Sequence, residues 1–460
     1  MFSLTWRLGG LLSFIKEKRI LLLSFIKDNC YICKKNTMDK NILKRIIIEY
    51  QNITSEVSLT RRDFNFSSKS NDVLVGLRRS GKSYMMFQKI QQLIEEGHKK
   101  EEILYINFED DRLMDFQVGD FELLKLSYEE LYPYKPIFFL DEIQNISNWE
   151  KFARRLADQQ YQVFITGSNA KMLSSEIATT LGGRFFIHNI YPYSFAEYLN
   201  ASNIAINDNL DYQNNSEIIR AFSHYFNFGG LPELQKVPVV EKRLWLSSLY
   251  NKIFFGDLLS RYSIRNDMAL KVLVRKLADS IKQPTSFNRI ANIVSSSGQK
   301  IKTDTVIEYL KYLEETWLIF SLENISSKLN EKVSNKKYYF IDNGILNLFL
   351  IDGTTSLFEN MLAIYLKQHY GHELYYYNKD AEVDFYLYES QIAIQACYNM
   401  SEASTRNREI NDLVKFSKFL PCKKLYVITN DEEDTIEKEG LEIKITPLWK
   451  FMIAPDFIEN

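Results

Sequence analysis

Apolar residues recur along this chain with two spacings, and the change from one to the other marks its elements. NDVLVG (71–76), EILYINFED (102–110), PIFFLDE (136–142), YQVFITGS (161–168) and RFFIHNIYP (184–192) are short, nearly continuous apolar runs, as strands buried on both faces require. GKSYMMFQKIQQLIEEG (81–97) and WEKFARRLADQ (149–159) instead carry apolar residues three and four apart, the helical spacing. Strands alternating with helices predict a parallel sheet covered on both faces, with ligands bound beyond the carboxyl ends of the strands.

After about residue 195 the pattern becomes mostly helical to about residue 265, interrupted by the polar stretch NASNIAINDNLDYQNN (200–215), which reads as a loop or insertion. Residues 269–323 give three helical segments and then the strand WLIFSLE, an order compatible with a helix-turn-helix and a wing. From KKYYFIDNGILN onward, helix and strand mix again: LFENMLAIYLKQHY is a helix, ELYYYNK and VDFYLYE form a hairpin, and QIAIQAC and KKLYVIT are further strands. The divisions are an extension (1–37), an α/β core (38–195), a helical segment (196–265), a helix-turn-helix segment (266–330) and a final α/β unit (331–460). The first boundary is set by Met38, which opens the well-patterned helix MDKNILKRIIIEYQ.

Composition narrows the class. A chain of 460 residues is too long for one core. Its 45% hydrophobic and 25% charged residues fit ordered protein. A formal net charge of -2 does not suggest a nucleic-acid binder working by bulk charge. Four cysteines make no disulfide scaffold, which points to a reducing, cytoplasmic setting. No membrane partner is expected, because the best apolar run, ILLLSFI (20–26), is short and flanked by Arg19 and Lys27. Cys30 and Cys33 form a CxxC with no second pair to complete a zinc site, and His369 and His372 read as a surface pair.

The candidate chemistry lies in the first βα loop. GLRRSGKS (76–83) offers Gly76, Leu77, Arg78, Arg79, Ser80 and Gly81 as a tight turn of inward-facing amides. Lys82 supplies the ammonium for the outer phosphates, and Ser83 the hydroxyl for magnesium. At the end of PIFFLDE, Asp141 is placed to hold the magnesium shell and Glu142 to polarise water toward a γ-phosphate. Ser168 or Asn169, ending YQVFITGS, is either a contact to the attacking water or an ordinary turn former. Arg184 is either a finger for transition-state charge, in cis or across a subunit interface, or a solvated strand start. Both motifs handle phosphates, so neither encodes the base.

GLRRSGKS, LYINFEDDRL, FFLDEIQNISNWE, FITGSNAKMLSS, LGGRF and YPYSFAEYL, followed by FGGLPE, FGDLLSRYSI, TVIEYLKYLEETWLI and KKYYFIDNGI, together resemble prokaryotic AAA-type ATPases that carry a C-terminal DUF4143 domain. The resemblance covers residues 38–460. It implies an additional-strand P-loop core, a helical lid (196–265), a winged helix (266–330) and a restriction-endonuclease-like α/β fold (331–460). It also implies ATP and Mg²⁺ as cofactors, Asp141 as the metal-side acid, Glu142 as the water activator and a polar sensor at the end of the fourth strand.

Two expectations about the later domains follow. The third helix of the 266–330 segment pairs Lys302 and Lys311 with Asp304, Glu308, Glu314 and Glu315, so protein docking or scaffolding is favoured there over DNA contact. In the last domain the resemblance maps a metal-binding acid to Asp384, with Glu359 as a further contributor. The positions for an acid and a lysine are Gln395 and Cys397, which offer neither charge, so nuclease chemistry is not expected unless Lys367 or Lys379 substitutes. An ATP-driven switch or remodeller is the favoured function, acting on an unknown protein or nucleic-acid partner, with a protein or another copy of itself favoured over DNA. A nucleotide-dependent clamp is the alternative, and an ATP-gated nuclease comes third.

Overall fold

The structure is a computed structural model; it describes residues 38–66, 70–168, 179–206, 212–328 and 334–453. The CxxC pair and the 1–37 extension lie outside the described residues, as does Asn169.

Five strands build the first sheet: β1 (Asn71–Val75), β2 (Ile103–Asn107), β3 (Ile137–Asp141), β4 (Val163–Gly167) and β5 (Phe185–Asn189). Their order is β2-β3-β4-β1-β5, and every pairing is parallel. β4 therefore stands between β1 and β3, so the strand bearing the phosphate loop and the strand bearing the acidic pair are separated by one strand. The helices α1 (Lys40–Glu56), α2 (Lys82–Glu95), α3 (Asp120–Glu129) and α4 (Trp149–Asp158) accompany this sheet. α1 starts where Asp39 accepts the Asn41 N–H and buries Leu43, Ile46 and Ile47 on one face. α4 does the same with Trp149, Phe152, Ala153 and Leu156. Removing each of the larger aliphatic and phenyl side chains among these from water contributes about 1.5–3 kcal/mol.

The chain then becomes helical through α5 (Phe195–Ala201), α6 (Tyr212–Phe228) and α7 (Val239–Lys252), and continues as a π-helical stretch, Ile253–Ser260. The polar stretch read as a loop is partly corrected here, because Tyr212–Asn215 opens α6. A helix's first turn leaves N–H groups unpaired, so polar residues there do not argue against helix.

Next come α8 (Asp267–Asp279), β6 (Thr285–Ser286), α9 (Phe287–Ser296), α10 (Thr303–Glu315), β7 (Ile319–Glu323) and β8 (Asn335–Phe340), with the three strands in the order β6-β8-β7. The short α11 (Asn343–Leu346) and the buried α12 (Thr354–Tyr370) lead into the last unit. There β9 (Leu374–Asn378), β10 (Glu382–Leu387), β11 (Ile392–Ala396), α13 (Ala403–Phe416), β12 (Lys424–Thr429), β13 (Asp434–Lys438), β14 (Leu441–Pro447) and α14 (Leu448–Ile453) follow. The sheet order is β13-β14-β12-β11-β10-β9, antiparallel at both ends and parallel across β11, β12 and β14. The fold is thus a parallel-sheet nucleotide-binding core followed by additional α/β units. No helix among the described residues is long and apolar enough to cross a membrane.

Candidate functional site

Two of the described residues in the phosphate loop adopt left-handed backbone, Arg79 (φ 68°) and Gly81 (φ 97°). Gly76 is required for a different reason, since a Cβ there would lie 2.0 Å from the Ile190 carbonyl oxygen. Leu77 is buried, and its carbonyl, with that of Gly76, accepts hydrogen bonds from Lys82 Nζ at 2.9 and 3.2 Å. The Ser80 hydroxyl is buried without a hydrogen-bond partner among the described residues. Lys82 and Ser83 open α2, whose amino end faces the loop.

Because β3 runs parallel to β4 beside β1, its carboxyl end brings Asp141 and Glu142 to the same side as this loop. Lys82 Nζ lies 3.9 Å from Glu142 Oε1. Asp141 accepts hydrogen bonds from Tyr105 and Thr166. The two acids are driven apart electrostatically. Burial and the neighbouring Glu142 charge push Asp141 above its usual value, against Thr166, Tyr105 and Ser83, which favour its ionised form. Burial opposes ionisation of Glu142 too, but Lys82, Gln144, Arg78 and Ser168 together hold it below its usual value. Burial likewise lowers Lys82, with Glu142 and Asp141 opposing. Glu142 has left-handed backbone (φ 52°, ψ 40°), a costly conformation for a residue with a side chain, and its N–H is held by Thr166 Oγ1 at 2.9 Å.

A cavity of about 510 Å³ opens over this arrangement, with Lys82, Ser83 and Glu142 at one end and Leu59, Tyr193 and Pro232 among its other walls. Hard oxygen donors from Ser83 and Asp141, beside an ammonium and a helix amino end, fit a magnesium-bound polyphosphate.

Ser168 is buried at this site, its hydroxyl accepting from Gln144 Nε2 at 3.3 Å. Gln144 also donates to Glu142 Oε2, so it bridges two residues singled out from sequence while not having been singled out itself. Tyr105 and Thr166 were missed as well; both sit on strands flanking or near β3, which becomes visible only with the strand order.

Arg184 is not brought to the site, and the in-cis finger reading is corrected. It precedes Phe185, which pairs with Asn71 at the start of β1, so it lies at the opposite end of the sheet from the loop. There it bonds Asp158 at 2.5 Å. The arginines lining the cavity are instead Arg62, Arg78 and Arg79. Arg79 pairs with Glu233, while Arg78 donates to Glu109 at 2.8 Å and to Asp257 at 3.1 Å.

In the last unit Glu359 and Asp384 do converge, but on a lysine from another strand. Lys337 Nζ lies 3.2 Å from Glu359 and 2.9 Å from Asp384, and Tyr339 also donates to Glu359 at 2.8 Å. Gln395 is a structural tie, accepting the Asp384 N–H at 3.0 Å and donating to the Glu382 carbonyl at 2.9 Å. Neither expected substitute lysine takes part: Lys379 lies near Asp380, and Lys367 donates to the Gly371 carbonyl. Burial pushes the Cys397 thiol up to about 11.

Comparison with known proteins assigns these parts. Residues 69–199 match the family model described as AAA domain, so the chain is an ATP-hydrolysing enzyme; ATP and Mg²⁺ binding is general to such domains. Residues 219–356 match a domain of unknown function, DUF8612. This corrects the expected DUF4143 domain: the motifs from FGGLPE to KKYYFIDNGI fall inside the DUF8612 match. An uncharacterized protein of Haemophilus influenzae is 33% identical over 59% of this chain and 67% of its own length. A solved Walker-type ATPase of Pyrococcus abyssi is 13% identical, with a TM-score of 0.40 over 69% of this chain and 97% of its own. The uncharacterized Methanocaldococcus jannaschii protein MJ1544 is 33% identical over 94% of this chain and its own whole length. With an end-to-end match at 33% identity, this chain belongs to the same family as MJ1544, and within it residues 69–199, which hold the phosphate loop and the acidic pair, form an AAA domain.

Proposed function

We propose that this protein splits ATP in the cavity between the phosphate loop and the helical segment, and uses the cycle to move its later domains against a protein partner. The observation that carries this is the convergence of Lys82, Ser83 and Glu142 on one cavity, with Asp141 buried directly beside Glu142. Ser83 and Asp141 would hold Mg²⁺, which supplies charge neutralisation at the phosphate oxygens. Lys82 meets the outer phosphates, with its ammonium already directed by the loop carbonyls. Glu142, kept ionised beside Lys82, takes the proton of the attacking water, with Gln144 and Ser168 fixing its orientation. A nucleotide clamp would need no such base, which favours turnover.

Replacing Glu142 by Gln should preserve nucleotide binding and reduce phosphate release by about 10²–10⁴-fold. Phosphate release at the normal rate would remove Glu142 from the role.

The finer architecture is part of the same reading. Helix, strand, two helices and a strand within 266–330, completed by β8 (Asn335–Phe340) in the order β6-β8-β7, support a winged helix whose last strand lies beyond residue 330. Its mixed charge favours protein docking over duplex DNA. The run α12, β9, β10, β11, α13, β12 supports a restriction-endonuclease-like fold at the C-terminus. Lys337 between the two carboxylates supports its use for binding or assembly, not cleavage. Plasmid DNA incubated with Mg²⁺ or Mn²⁺ should stay intact; cleavage that vanishes in Asp384→Ala would reverse this assignment.

A further inference from the structure

Both arginines of the phosphate loop reach outside it, Arg79 to the exposed Glu233 and Arg78 to Glu109 and the buried Asp257. Arg78 is 14% exposed, and its Nε donates to Asp257 Oδ2, 179 residues away, on the π-helical stretch Ile253–Ser260. Asp257 is itself only 9% exposed, and its other oxygen takes Arg261 at 3.1 Å. A second tooth of the same guanidinium, Nη1, holds Glu109, just beyond β2. Arg78 also lines the nucleotide cavity and lies close enough to Glu142 and Lys82 to bias the ionisation of both. A single permanent cation thus faces three anionic sites: the ATPase acid, a carboxylate of the core, and a carboxylate of the DUF8612 match.

The π-helical stretch gives this contact leverage. Such stretches are rare, because their hydrogen-bond register is less favourable than that of an α-helix, and they concentrate at functional sites. Here the stretch continues α7 directly, so whatever holds Asp257 also influences the register in which that helix continues.

We propose that Arg78 and Asp257 form a nucleotide-gated latch, in which the outer phosphates of ATP compete with Asp257 for the Arg78 guanidinium and so report nucleotide binding to the 253–260 segment. This rests on the preceding assignment of the cavity to ATP. Polyphosphate oxygens are strong, multidentate acceptors for a guanidinium. A triphosphate that gains Arg78 only when Asp257 has released it binds the two arrangements with different affinity, which is the requirement for shifting a population between them. Arg261 keeps Asp257 paired on its own helix after release, so the carboxylate is not left buried and alone.

The test uses the full chain with AMPPNP and Mg²⁺, measuring nucleotide affinity and amide hydrogen exchange across residues 250–265. In the unaltered protein, nucleotide should accelerate exchange of this segment. Asp257→Asn should show the accelerated exchange without nucleotide, lose the response to it, and bind AMPPNP several-fold more tightly, since the competitor is gone. Arg261→Gln keeps the link to the loop but removes the partner that receives Asp257 after release, so it should show a smaller acceleration on nucleotide binding and weaker AMPPNP affinity. Nucleotide binding with unchanged exchange in the unaltered protein would overturn the latch, as would an Asp257→Asn variant that still responds. Failure of AMPPNP to bind at all would instead overturn the cavity assignment, and the latch with it.

Discussion

Arg62 and Glu197 meet in a two-pronged ion pair, Nε to Oε1 at 2.7 Å and Nη2 to Oε2 at 2.8 Å, joining the segment before β1 to the first turn of α5. The remaining nitrogen of Arg62 donates to the Ser80 and Tyr191 carbonyls, each at 3.1 Å. One guanidinium thus ties the phosphate loop to the element that follows the sheet. A lysine cannot reproduce this fork. Arg62→Lys should therefore weaken nucleotide binding almost as much as Arg62→Ala. Arg62→Ala should also destabilise the protein by about 3 kcal/mol, because the Glu197 charge would be left largely buried with no cation and only the Ser194 N–H as partner. Titration with a fluorescent ATP analogue and urea denaturation measure the two effects; full nucleotide affinity in Arg62→Lys would refute the fork.

Gln144 offers a separate test of how Glu142 is set. Its amide favours the ionised form of Glu142, so Gln144→Ala should let the Glu142 carboxyl rise toward its ordinary value. The acidic limb of the kcat–pH profile should then move to higher pH, while nucleotide affinity changes less than turnover. An unshifted limb would reduce Gln144 to a packing residue.

These side chains also show where reading the sequence stops. β1 to β4 and the helices between them are legible because a strand buried on both faces must be apolar throughout, and Gly76, Gly81, Lys82 and Ser83 lie close together in sequence. β5, read from the same apolar pattern as buried on both faces, is instead an edge strand, with Phe186 and Ile187 exposed. Arg62, Tyr105, Thr166 and Gln144 act through strand order and through contacts across 135 residues in the longest case, and neither is written in a local pattern. Arg184 illustrates the converse: a suggestive residue type beside the right strand, but at its amino end. The hairpin of β13 and β14 carried a usable signal that was passed over. Glu439 and Gly440 both have positive φ (49° and 78°), and Glu-Gly between alternating runs is a two-residue turn.

Gly229 explains a motif whose purpose is obscure in sequence. FGGLPE places it at φ 78°, where a Cβ would lie 2.2 Å from the Asp342 carboxylate. That carboxylate accepts the Gly230 N–H at 2.9 Å and the Ile345 N–H at 3.1 Å, seating the loop after α6 on the start of α11. Gly229→Ala should lower stability by at least about 2 kcal/mol, combining backbone strain with displacement of a buried acid. Thermal unfolding would detect this as a depressed Tm, and a Tm equal to that of the unaltered protein would show that the seat is not tight.

The buried pair of acids around Lys337 predicts a pH dependence with a definite sign. Burial pushes Glu359 up to about 7 from 4.5; Lys337 opposes the rise and Asp384 adds to it. A carboxyl with a raised folded-state value binds its proton more tightly when folded, so between about pH 4.5 and 7 the native state holds more protons than the unfolded chain. Stability from this group is therefore full below pH 4.5 and is lost as pH rises through 7, by about 3 kcal/mol over the interval. Glu359→Gln cannot titrate, and its amide oxygen can still accept from Lys337 and Tyr339. The difference in unfolding free energy between pH 5 and pH 7.5, measured in urea, should change accordingly, with Glu359→Gln losing less stability than the unaltered protein as pH rises. An identical loss in both proteins would mean that Lys337 keeps Glu359 ionised throughout, and that the three side chains form an ordinary ion cluster with no proton to exchange.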